Sequence, residues 1–257
     1  MVPLRPWTRD SGPTGWLGGV ALTAYATAIG LLVHAAALRW IDRRPWSYVG
    51  LDRSAASPRL LVIGWLLGAV PIAAVSLLLM AVGWLKVVPA LPGSWLEAAA
   101  RMSMLLLFAA FLEELLSRGY IFATLREWLG TPVAVGLTSI VFGLLHGDNP
   151  GANPLPLILV TIGGVNLAVV LVVTRSLYAA WMAHWAWNWV MAVLFHVQVS
   201  GIFIPRPDYK TIELGPDWLT GGAWGPEGSV LAGIADLIVI AALIRYGVSR
   251  RRASVTG

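Results

Sequence analysis

The stretch FAAFLEELLSRGYIFATL, Phe108–Leu125, decides how the chain is read. It is apolar except for Glu113, Glu114, a small Ser117 and, one helical turn beyond Glu114, Arg118. A carboxylate at bilayer depth is expensive and is kept there only with a partner or a task. Two side by side repel each other, which is how proteins build an acid or base that works near neutral pH. On a helix Glu114 and Arg118 share a face at i and i+4, so a charge-compensating pair is expected there. Glu113 points roughly 100° away from Glu114 on the same wheel. It is the carboxylate left to face a cavity.

The rest of the composition makes this a membrane argument. Of 257 residues 58% are hydrophobic and 12% charged, and the mean hydropathy is +0.74. A soluble domain carries roughly twice that charged fraction. The apolar residues fall in long blocks, which indicates a polytopic membrane protein rather than a soluble core. The net charge is +5 and the isoelectric point about 10.0, yet nucleic acid is not expected as a partner. The arginines sit at block ends, where they report orientation in a bilayer. Cysteine is absent, which excludes disulfides, thiolate metal sites and a cysteine nucleophile. The first apolar block is too long for a cleaved signal peptide and lacks a small-residue cleavage site, so it reads as a span.

Seven spans follow from the blocks. They cover about Trp16–Leu38, Leu60–Leu85, Trp95–Trp128, Pro132 to GLLHGDNPGANP, Leu155–Val173, Leu177–Val197 and Val230–Tyr246. The third is longer than a crossing needs, which implies strong tilt or an amphipathic foot at Glu97 and Arg101. The loop IDRRPWSYVGLDRSAASPRL, the segment with Arg118 and Arg126, the turn at Arg175 and the tail with Arg250 are basic. Placing them in the cytoplasm, with the mildly acidic connection 198–229 outside, sets the N-terminus out and the C-terminus in. Arg5 and Arg9 oppose this, and an eighth span would remove the conflict. The 14 tryptophans, many at block ends, fit an interfacial belt. The expected fold is all-α: a polytopic membrane helix bundle of about seven, or eight, transmembrane helices around a polar cavity. One integral-membrane domain over 1–257 is expected. Many arginines and alanines beside two lysines suggest a GC-rich bacterium, and hence its plasma membrane.

Other polar residues lie at membrane depth. VFGLLHGD places His146 at the end of the fourth span, four residues after Phe142. AAWMAHWAWNW places His184 and Asn188 at i and i+4 on one face of the sixth. His34 and His196 have no acid at matching spacing and read as hydrogen bonds between helices. Asn166, after Gly163 and Gly164, reads as helix packing. The set Glu113, His146, His184 and Asn188 lies on three separate spans, and packing alone does not explain it.

A carboxylate and a neutral imidazole can share a water, take its proton and deliver it to a carbonyl carbon. The resulting oxyanion needs fixed donors, and an imidazole N–H with an Asn amide one turn away supplies two. The chemistry indicated is direct hydrolysis of an amide at or just below the membrane surface. At 1.5 Å per residue Glu113 and His184 fall roughly 12–14 Å from the inner face, with His146 deeper. Closing the site then requires tilt, or a later start to the fourth span.

EELLSRG, FGLLH and HWAWN resemble the EExxxR, FxxxH and HxxxN signatures of the CPBP intramembrane protease family. That family groups type II CAAX prenyl proteases with bacteriocin-processing and Abi-type proteins. Order and spacing agree, and the likeness covers about Leu105–Leu194, within a CPBP-like catalytic core set at 95–197. The resemblance implies a glutamate-type endopeptidase with Glu113 as general base and His146 orienting and activating the water. It implies His184 and Asn188 as the oxyanion hole, with Glu114 and Arg118 as structural or electrostatic support. Ser117 departs from the pattern, which commonly has an aromatic there. No cofactor or metal is expected. The expected partners are membrane lipid and a protein or peptide substrate that is lipidated or membrane-anchored. A water-filled cavity opening toward the cytoplasm is expected among the four residues, with His184 across a substrate-sized gap from Glu113 and His146.

Three alternatives remain at this stage. Glu113, His146 and His184, with Glu114, are zinc-ligand types, so an intramembrane metalloprotease is one. A non-catalytic immunity or scaffold protein on the same fold is the second. A transporter is the third, since buried charge can mark an ion path, although no inverted repeat accompanies it.

Overall fold

The fold is taken from a computed structural model that describes residues 13–90, 92–202 and 208–256. Arg5 and Arg9, which opposed the expected orientation, lie outside the described residues. Each of the seven apolar blocks is helical. In lipid a backbone N–H or C=O has no water to bond, so an apolar segment satisfies its own backbone by coiling.

The helices are α1 (Pro13–Ala36), α2 (Pro58–Ala81), α3 (Trp95–Arg118), α4 (Tyr120–Leu129), α5 (Thr131–Leu144), α6 (Pro154–Thr174), α7 (Leu177–Trp189), a single turn α8 (Asp217–Thr220) and α9 (Val230–Thr256). Five passages are long and apolar enough to cross a membrane alone: Leu17–Ile41, Pro58–Ala81, Trp95–Leu129, Pro154–Thr174 and Val230–Ser249. The protein is an integral membrane protein built as a polytopic helix bundle. The fourth and sixth expected spans are shorter helices of 14 and 13 residues. At 1.5 Å per residue each reaches only roughly 20 Å of the ~30 Å hydrocarbon layer. Both stop where they present polar residues. α5 turns off before His146, and α7 gives way to a π-helical turn, Val190–Leu194, so His196 lies beyond the helix rather than within the span.

Two further expectations are corrected. The long third span is neither one tilted helix nor merely footed. It breaks after Arg118, and α4 restarts at Tyr120. At the break, a Cβ on Gly119 would overlap His34 Nε2 and the Leu115 carbonyl, so only glycine admits α1 this closely. His34 Nδ1 bonds the Gly30 carbonyl at 2.7 Å, and its Nε2 accepts the Tyr120 N–H at 3.0 Å. That N–H is a helix-start donor with no partner inside α4. The expected helix-to-helix role of His34 is thus realised.

The second correction is a β-ribbon. Residue Leu85, read as the end of the second span, begins β1 (Leu85–Pro89), which pairs antiparallel with β2 (Tyr209–Glu213). The register runs from Leu85 opposite Glu213 to Pro89 opposite Tyr209. It closes the end of the bundle opposite the arginine-bearing turns.

Helix α7 is fixed from both sides. Ser176 caps it, accepting the Ala179 N–H at 3.0 Å and donating to the Ala55 carbonyl at 2.6 Å. Along its length α2 lies backbone to backbone against it, because a Cβ on Gly64 or Gly68 would overlap the carbonyl of Ala179 or Ala183. Small residues at a helix contact permit this approach where lipid supplies no hydrophobic drive.

Candidate active site

α3, α5 and α7 bring the sequence-predicted polar residues together. Glu114 and Arg118 are fully buried, and Arg118 Nη1 donates to Glu114 Oε1 at 3.0 Å, the i, i+4 pair expected. The same Glu114 oxygen takes His184 Nδ1 at 3.0 Å. Arg118 Nη2 donates to the Gly164 carbonyl of α6 at 2.9 Å. One ion pair on α3 therefore ties α3 to α6 through Arg118 and to α7 through Glu114.

Glu113 faces away from this knot, as the helical wheel requires. Its side chain keeps 23% of its exposure, and its Oε2 lies 3.8 Å from His184 Nε2. The expected substrate-sized gap between them is therefore not found. Glu114 draws the imidazole in by Nδ1, which turns Nε2 toward Glu113. His146 sits just past the end of α5, with Nδ1 on the Phe142 carbonyl at 2.7 Å. The Phe142 ring is the common neighbour: its centroid is 4.8 Å from the His146 ring and 5.8 Å, edge-on, from the His184 ring. The Arg118 guanidinium lies 4.2 Å from the same centroid, a cation–π contact. His146 is brought level with His184 through the Phe142 ring that both contact.

His146, His184 and Asn188 line one cavity of about 530 Å³, including its open side. The i, i+4 spacing of His184 and Asn188 does put both on the cavity face. Glu113 is not among the lining residues and approaches the cavity-lining His184 at 3.8 Å. The cavity also receives residues that sequence reasoning passed over. Asp236 of α9, 4% exposed, accepts Asn166 Nδ2 at 2.6 Å. Asn166 thus packs α6 against α9 as expected, but with a buried carboxylate as partner. A lone acid inside the seventh apolar block was the available signal. Glu227 folds in from the connection after α7, accepting Trp187 Nε1 at 3.0 Å and the Ser200 hydroxyl at 2.7 Å. Ser200 and Glu227 lie at the β-ribbon end, and no lining residue comes from the arginine-bearing turns. The expectation of a cavity opening toward the arginine-rich end is not met.

Among the described residues no three His, Cys, Asp or Glu side chains are grouped so that they could hold a metal ion.

Fold and site together define a membrane-embedded helical protein with carboxylates on α3, an imidazole and an amide on α7, and a second imidazole just past α5. Residues 94–190 match the family model described as Type II CAAX prenyl endopeptidase Rce1-like. No curated protein and no solved structure matches the chain.

Proposed function

We propose that the protein is a glutamate-type intramembrane endopeptidase, its catalytic core at 95–197 within one membrane domain. The observation that carries the reading is the placement of His184 between two carboxylates, Nδ1 on Glu114 and Nε2 facing Glu113. Two atoms 3.8 Å apart are too far for a hydrogen bond to each other. They are close enough to contact one water or carbonyl oxygen together. Glu113 serves as general base, and His146 orients the water it activates. His184 and Asn188 donate to the oxyanion. Because Nδ1–H is given to Glu114, donation from Nε2 requires a ring carrying both protons, and the flanking carboxylates balance that charge. Glu114 and Arg118 position His184 and touch no reacting atom.

The substrate class supported is a membrane-anchored or lipidated protein or peptide, met in a bacterial plasma membrane. The test is terminal labelling of membrane proteomes from cells carrying the protein or its Glu113→Ala variant. New N-termini confined to the active strain are expected. Identical terminal profiles in strains with equal protein levels would refute the reading.

A further inference from the structure

A second cavity, of about 800 Å³ including its open mouth, lies at the arginine-bearing end of the bundle. Its wall comprises residues 47–50, one side of α4 from Phe122 to Arg126, the start of α5, the end of α6 and the α6–α7 turn. Three arginines line it, Arg118, Arg126 and Arg175, together with the hydroxyl residues Ser47, Tyr48 and Thr131, and no carboxylate does. Arg118 is fully buried, and its Nε has no acceptor in the protein. A buried donor left unpaired is costly. Arg126 donates to the Tyr48 carbonyl at 3.4 Å and lies 5.9 Å from the Phe122 ring centroid. Among the described residues no carboxylate pairs with Arg126 or Arg175.

The frame is built rather than loose. Gly50 takes a left-handed conformation, φ 73°, and its carbonyl accepts the Leu177 N–H at 2.9 Å, which closes the loop onto the α6–α7 turn. A Cβ there would meet Leu177 N at 2.9 Å and the Arg175 carbonyl at 3.2 Å. Arg175 itself has φ 57°, at a helix end where glycine is the unstrained choice. A strained arginine facing a cavity is better explained by its side chain than by the turn. The nearby acid, Glu127, is already engaged by Arg44 at 2.5 Å and by the Tyr48 hydroxyl at 2.7 Å. Burial and that carboxylate hold the Tyr48 hydroxyl above its ordinary pKa, so Tyr48 stays neutral with its one hydrogen given to Glu127.

We propose that this cavity binds a phosphate-type oxyanion, gripped by Arg126 and Arg175 over Arg118. Guanidinium forks match phosphate oxygens bidentately, and basic pockets between helices at the cytoplasmic face suit phosphate headgroups. The same chemistry is offered by an anionic lipid or by free phosphate. The binding does not depend on the protease reading.

The test is thermal unfolding of the full chain purified in neutral detergent. One arm titrates inorganic phosphate against chloride at constant ionic strength. The other compares micelles doped with phosphatidylglycerol or with phosphatidylcholine. A rise in Tm with phosphatidylglycerol alone assigns a lipid headgroup, and a rise in both arms assigns a site open to free anion. Either supports the proposal if Arg126→Gln/Arg175→Gln abolishes the rise while Arg39→Gln/Arg59→Gln, exposed arginines outside the cavity, keeps it. Arg126→Lys/Arg175→Lys retains the charge without the fork and should bind about tenfold more weakly or worse. This gives a reading even where the glutamine variant fails to fold. No rise in either arm overturns the proposal. So does a rise that survives both cavity double variants, or one lost equally in the Arg39/Arg59 control.

Discussion

At the scale of single residues, the two adjacent glutamates meet different surroundings because a helix turns them roughly 100° apart. Glu114 is buried and doubly bonded through one oxygen, while Glu113 retains exposure and only the 3.8 Å approach of His184. Glu113→Ala and His146→Ala are expected to bring peptide cleavage to near background. Asn188→Ala should keep some turnover while losing roughly 10²–10³-fold, the scale of one oxyanion donor. Glu113→Gln is the sharper variant, since it preserves shape and removes the base; full activity in it would remove Glu113 from that role. The residue identities and helix faces were legible in the chain. The approach of His184 to Glu113 was not, because it follows from where Glu114 pulls Nδ1, a contact between residues 70 positions apart.

At the scale of elements, α3 is anchored to α6 and α7 by charge rather than by apolar contact alone. Removing Arg118 strips Glu114 of its cation and leaves the Gly164 carbonyl without its donor. Breaking one partner of a buried pair costs about 3–5 kcal/mol. Arg118→Ala should therefore show a lower Tm in detergent and reduced yield. An Arg118→Ala protein of unchanged Tm but no activity would instead put Arg118 in the chemistry. The helices themselves were readable because apolar blocks in lipid have few options besides coiling. The β1–β2 ribbon was not, since its strands are joined across more than 100 residues and neither carries a hairpin turn signal. The break after Arg118 was likewise hidden. Gly119 looks like any helix-interior glycine until His34 of another helix is seen against it.

At the scale of the whole molecule, two sequence expectations conflict. Arginine bias puts the Arg126 and Arg175 turns in the cytoplasm, yet the His146–His184–Asn188 cavity is walled by Ser200 and Glu227 at the opposite end. Topology can be measured directly, because the chain has no cysteine. With Asp217→Cys and Arg175→Cys, both exposed, a membrane-impermeant thiol reagent should label the first in intact cells and the second only after permeabilisation. Labelling of Arg175→Cys from outside would invert the bundle and turn the cavity toward the cytoplasm. The bare-backbone contact of Gly64 and Gly68 with α7 has a consequence for traffic. With backbone against backbone at Gly64 and Gly68, that seam is the wall of the bundle and not its door. A chain arriving sideways from the lipid has to part a different pair of helices. Two thiols introduced across α2 and α7 and oxidised to a staple should leave turnover where it was. Turnover that halts on oxidation and returns on reduction would show that the wall swings.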